Sequence, residues 1–218
     1  MSPYPIRRHV DLGDLASARR SPLSAKNVVG SLAGLIVSIL VVTSPALAQD
    51  DPAVSDFILR LNRAVYSLAG KAGAAAETAC RDLNRSLLDV NFMAQRAAAD
   101  AWNRMTGPQK TRYLRTVEGW AARECVLQNR NNSGAPVVFL GLRPASEGDR
   151  LLATRVEQKD SGPRTVVWRL GPGGPPLRAR DILLDGRSAA ITLRREVGEI
   201  LGHTNGDIDT LIATLDRR

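Results

Sequence analysis

Beyond residue 48 the chain holds a single histidine, His203, so acid–base chemistry near neutral pH has one ordinary carrier. For nucleophilic catalysis, Asp207 or Asp209 would have to orient that imidazole toward Ser188. No G-x-S-x-G elbow surrounds Ser188, however, and His203 follows Gly202 at a predicted helix end, where it suits the last carbonyls and the helix dipole. Asp181 is the one acid inside a strand pattern of mostly apolar neighbours. It is a conceivable general base in a pocket, and more simply the partner of a nearby arginine. Metal chemistry has too few ligands, since Cys80 and Cys125 stand 45 positions apart and only His203 could join them. Arg178, Arg180, Arg187, Arg194 and Arg195 form the densest basic cluster. Their planar forks suit a phosphate headgroup or an acidic partner, against the simpler reading of a solvated rim.

Those residues hang on a framework that the turn chemistry makes visible. From Pro136 to Gly186 four apolar segments are separated by Ser146-Glu147-Gly148-Asp149, Asp160-Ser161-Gly162-Pro163 and Gly171-Pro172-Gly173-Gly174-Pro175. These connectors preset turns or tolerate positive φ, and their spacing leaves too little chain for crossover helices, so the stretch reads as an antiparallel meander. In its third segment Val166, Trp168 and Leu170 share one face while Thr165, Val167 and Arg169 share the other. The apolar face must be covered.

Helices are expected on both sides of the meander. Asp51-Pro52 reads as an N-cap followed by proline at the first helical position, with Phe57, Leu61, Val65 and Leu68 at helical spacing. A second stripe carries Ala76, Cys80, Leu83 and Leu87. Asp89 caps a third helix through Met93, Ala97, Ala101 and Met105, with Trp102 beside them. Thr106 and Gln109 have the capping-box spacing and open a fourth helix reaching about Gln128, with Leu114, Val117, Ala121 and Cys125 on its apolar side. Downstream, Asp185-Gly186-Arg187-Ser188 reads as a bend, then a short stripe carries Leu193, Val197 and Ile200, and Asp207 caps a last helix. Helices, strands and helices in that order predict an α+β domain.

The first 48 residues have the three-part form of a secretory signal. A basic region with Arg7, Arg8, Arg19, Arg20 and Lys26 precedes an apolar run from Val28 to Val42, and Ala46 and Ala48 predict cleavage before Gln49. The run's 15 residues span only about 22 Å as a helix, short of a hydrocarbon core of about 30 Å. Residues 1–48 hold five of the 30 basic and two of the 22 acidic side chains, so the net charge of +8 falls to +5 over residues 49–218, which are expected to form a single domain. Scattered arginines on an exported protein argue for anionic lipid or an acidic partner and against nucleic acid. Export also places the only two cysteines in an oxidising compartment, and both fall on apolar helix faces, so Cys80 and Cys125 are expected to pair. Two buried free thiols are the alternative, because spacing alone does not bring their Cα atoms into bridging range.

The run Leu88-Asp89-Val90-Asn91-Phe92-Met93-Ala94, then Trp102, then Thr106 through Gln109 to Tyr113, resembles the MlaC-like family. So do the meander ending Arg180-Asp181-Ile182-Leu183-Leu184-Asp185-Gly186-Arg187-Ser188 and the helix holding Arg194. These are periplasmic phospholipid-binding proteins, also known as toluene-tolerance auxiliaries of an ABC transporter, with a hopanoid-associated branch. The likeness covers nearly all of residues 49–218. Leu177 replaces a usual tryptophan, and Cys125 stands near a usual tyrosine. The resemblance implies a curved antiparallel four-stranded sheet covered by helices that enclose an apolar cavity. It implies phospholipid as cargo and no cofactor, in a monomer moving between an outer-membrane lipoprotein complex and an inner-membrane ABC transporter complex. On that reading Val137, Phe139, Val166, Trp168 and Leu170, facing Leu114 and Val117, line the acyl-chain cavity. An alternative is a small pocket-bearing enzyme or hopanoid-associated protein acting on an apolar isoprenoid-like ligand.

Overall fold

The computed structural model describes residues 51–217, so the expected signal and its cleavage site lie outside the described residues. Helix α1 (Pro52–Leu68) begins where Asp51 accepts hydrogen bonds from the amides of Ala53 (2.9 Å) and Val54 (3.4 Å). The same carboxylate pairs with Arg150, which holds it below the usual carboxylate range. α2 (Gly73–Leu87) buries Ala76, Cys80, Leu83 and Leu87, the stripe expected from spacing. α5 (Gly107–Gln128) opens on a complete capping box between Thr106 and Gln109. Among the described residues, no helix is long and apolar enough to cross a membrane.

The expected third helix is two. α3 (Val90–Ala98) is capped by Asp89, and α4 (Asp100–Arg104) follows after Ala99, whose φ of 48° interrupts the helix. The alanines of the junction have high helix propensity, so nothing local signals a break, and tertiary contacts decide it. Tyr113 of α5 donates its buried hydroxyl to the Ala94 carbonyl of α3 (3.1 Å), and its ring lies 6.4 Å from that of Trp102 on α4. Both short helices therefore pack against one side chain.

The sheet is antiparallel in the order β1 (Val138–Pro144), β2 (Arg150–Val156), β3 (Arg164–Leu170), β4 (Ala179–Leu184) and β5 (Arg187–Ser188). Five strands replace the four expected. The extra pair, Leu183 with Ser188 and Leu184 with Arg187, closes a two-residue hairpin at Asp185 (φ 50°) and Gly186 (φ 78°). Positive φ at both positions is the type I′ requirement that Asp-Gly meets, so the expected bend is a hairpin. β1 and β5 are edges and the sheet does not close into a barrel. Its inner face carries Leu142, Leu152, Trp168 and Ile182 across one row, and Phe139, Thr154, Val166 and Leu184 across the next. All of these except Thr154 belong to the common apolar cluster or pack on its margin.

α6 (Ala189–His203) starts directly from β5, and α7 (Ile208–Arg217) follows with Asp207 accepting from the Thr210 amide (3.0 Å). α1 lies on the sheet's inner face. Phe57 meets Trp168 edge-on at 5.6 Å between ring centroids, Asn62 accepts from the Val137 amide (2.7 Å), and Asn132 donates to the Val65 carbonyl (2.7 Å). The joint between α2 and α3 is tied to β4 by the Asp89 amide on the Ala179 carbonyl (2.8 Å).

Candidate functional site

Four of the seven expected cavity residues, Phe139, Val166, Trp168 and Leu170, lie in the sheet on its inner face, and a fifth, Val137, stands directly ahead of β1. Val137, Val166, Trp168 and Leu170 are buried, and Phe139 is half-buried where the register slips between Phe139 and Gly141. A strand places alternate side chains on one face, so the sequence period was enough to group them. The helix opposite Trp168 is α1, through Phe57, whereas α5 was expected there. Leu114, half-buried, and Val117, fully buried, lie on α5 and join the same apolar cluster, with α2, α3 and α7 as neighbours of that helix. Strand periodicity names the face but not the element that covers it. The Trp168 indole is satisfied inside this apolar surface by donating to the Thr154 hydroxyl (3.0 Å), which donates to the Val166 carbonyl (3.1 Å).

The residues considered for hydrolysis are not assembled. Ser188 caps α6 by accepting from the Ile191 amide (3.0 Å), and its hydroxyl donates to Asp181 (2.6 Å). His203 is the last residue of α6, 15 residues further on, so the two stand about 22 Å apart along the helix axis. Asp209 is bonded to Arg112 and Gln109. Among the described residues Asp181 has no ion pair within 4 Å; the arginine expected beside it is Arg169, its cross-strand neighbour, which acts on it only as a nearby charge. Besides Ser188 the Asp181 carboxylate accepts from the amides of Ile182 (2.8 Å) and Ala190 (3.0 Å), locking β4, β5 and the start of α6 together.

Burial pushes the Asp181 carboxyl above its usual range despite those three donors. Its folded value thus exceeds its unfolded value, and its contribution to stability is full below the unfolded value and falls as pH rises through the folded one. Asp181→Asn keeps an acceptor for both amides and can donate to Ser188 without carrying charge. The stability of this variant relative to the parent should therefore rise from about pH 3 to pH 7. Urea midpoints across that range check it, and a pH-independent difference contradicts the account.

The structure divides the basic cluster. Arg180 lies 4.4 Å over the Phe92 ring and bonds Asp149 (3.2 Å), so it is committed to the fold rather than held out for a headgroup. Arg178 is exposed and donates to the Leu88 carbonyl (3.4 Å). Arg187, Arg194 and Arg195 are exposed on β5 and α6, and Arg195 approaches Glu199 at 3.8 Å. Cys80 of α2 and Cys125 of α5 are joined in a disulfide with their Cα atoms 5.7 Å apart. Among the described residues, no group of three or more His, Cys, Asp or Glu side chains is placed to hold a metal ion.

A family model described as MlaC protein matches residues 55–217. Among solved structures, this chain resembles a phospholipid-binding protein from Ralstonia solanacearum in complex with a phospholipid. The likeness has 18% identity and a TM-score of 0.56, over 76% of this chain and 91% of that one, and is one of fold. No curated protein matches the chain.

Proposed function

The chain belongs to the MlaC family, and from that premise we propose that it is a periplasmic carrier that binds phospholipid in an apolar cavity and does no chemistry on it. It shuttles that cargo between an outer-membrane lipoprotein complex and an inner-membrane ABC transporter complex. The observation that carries this reading is the family match over residues 55–217, and the apolar inner face of the sheet gives it a physical basis. Each buried methylene contributes about 0.8 kcal/mol, so two acyl chains lying on Val137, Phe139, Val166, Trp168 and Leu170, and reaching Leu114 and Val117, supply affinity through apolar burial. Half-buried Phe139, Leu142, Ile182 and Leu184 give this face a margin at which chains enter.

Val166→Trp tests that assignment. The larger ring occupies the volume of the chains, and lipid per protein should fall severalfold while circular dichroism stays that of the parent. Unchanged lipid content in a folded variant removes Val166 from the cavity wall.

Exposed Arg194 and Arg195 serve encounter with anionic surfaces rather than retention. Transfer to membranes should slow as the Debye length shrinks from about 10 Å at 0.1 M salt to about 3 Å at 1 M, whereas acyl burial survives. Charge reversal at Arg194 and Arg195 should likewise reduce transfer without stripping lipid. Transfer indifferent to both treatments makes these arginines a solvated rim.

A further inference from the structure

A polar groove of about 140 Å³ opens on the helical side of the molecule, lined by the second half of α2, the start of α3, Glu118 of α5 and Arg178 ahead of β4. A single water needs only about 10–15 Å³ on the same measure, so the groove accommodates a multi-atom group. Asn84 forms part of its wall. The residue is 5% exposed, and its Nδ2 is shielded from solvent with no hydrogen-bond partner. Leaving such a donor unmet costs about 1–3 kcal/mol, and folded proteins rarely do so. Among the described residues the other buried side-chain amide, Asn132, shows the contrast, donating to the Val65 carbonyl and accepting from the Gly134 amide.

The surroundings of Asn84 favour an oxyanion. Arg81, Arg85 and Arg178 line the groove together with Asp89 and Glu118, an excess of one positive charge among its lining residues. The Asp89 carboxylate is engaged with the Phe92 amide (3.0 Å). Arg81 and Arg85 pair with Glu77 and Asp82 of their own helix, but these pairs are solvent-exposed and weak enough for the guanidiniums to turn toward a ligand. The groove also borders Val90 and Asn91, the first turn of α3, where leading amides lack intrahelical acceptors and the helix dipole favours negative charge.

We propose that this groove is a phosphate-binding site, in which the guanidiniums of Arg85 and Arg178 hold the oxyanion at the start of α3 and the Asn84 side chain turns its unmet amide nitrogen, closed to solvent in the free protein, toward it. The phosphate belongs either to a free anion or to the headgroup of a bound phospholipid. The free-anion case does not rest on the carrier reading.

The test is an NMR titration of the purified, lipid-free protein with sodium phosphate against sodium chloride at matched ionic strength, following the Asn84 side-chain amide and the backbone amides of Val90 and Asn91. A second arm uses protein loaded from phosphatidylglycerol vesicles. Saturable shifts specific to phosphate are expected in the lipid-free protein. The double variant Arg85→Gln/Arg178→Gln should weaken apparent affinity at least tenfold. So should Asn84→Leu, which removes the unmet donor and is expected to melt no lower than the parent. If loaded protein shows the same shifts and no longer responds to phosphate, the headgroup is the source; if it still titrates, the anion is separate. Phosphate acting no differently from chloride, with the same amides unmoved by loading, overturns the site. Equal affinity in the folded arginine variant overturns it as well. Should vesicles fail to load the protein, the carrier reading fails and the free-phosphate arm still decides this one.

Discussion

Replacing Cys80 and Cys125 by serine should destabilise the protein by about 4 kcal/mol, the chain-entropy value for a bridge closing a separation of 45 residues. In a domain of this size that lowers the melting temperature by roughly 8–16 °C. The bridge ties α2 to α5, and Cys80 is wholly buried while Cys125 is half-buried. Each serine therefore adds a hydroxyl to an apolar contact, and the paired alanine variant separates that contribution from loss of the cross-link. Thiol titration of denatured, unreduced protein checks the bond itself. Two reactive thiols per chain in protein recovered from an oxidising compartment contradict it.

Asp149→Asn should be nearly as damaging. This carboxylate, in the turn between β1 and β2, has a side chain 1% exposed and bonds Arg169 of β3 and Arg180 of β4, while Arg180 in turn lies over Phe92 of α3. One charge thus pins a turn, two strands and a helix. Breaking a buried pair costs about 3–5 kcal/mol because the partners stay charged. Here the guanidiniums keep 29% and 26% exposure and can rehydrate, so the expected loss is at the low end, about 3 kcal/mol. A urea unfolding series measures it, and a loss below about 1 kcal/mol means the arginines find water or other acceptors.

What was legible in the sequence is what depends on near neighbours. Asp51, Asp89, Thr106 with Gln109, and Asp207 cap helices through contacts within three residues, and the two-residue alternation groups Val166, Trp168 and Leu170. What escaped depends on distant partners. The two helices either side of Ala99 share Tyr113 of a later helix as a neighbour, and Trp168 faces Phe57 from a helix more than a hundred positions away. Arg180 reads as one of five equivalent basic residues until Asp149 is brought beside it. The hairpin at Asp185-Gly186 is different, because its signal was local and the dipeptide alone announces a type I′ turn. The sheet face expected to line a cavity was readable from period, whereas the helix that covers it, and the groove around Asn84, needed the fold.

The carrier reading stands or falls most directly on the organic extract of the protein purified from its exported form without added lipid. Mass spectrometry of that extract, quantified against protein, should find intact two-chain phospholipid at about one molecule per chain. An extract without phospholipid, or one in which the lipid appears only as cleaved product that accumulates with incubation, contradicts a carrier that leaves its cargo unchanged.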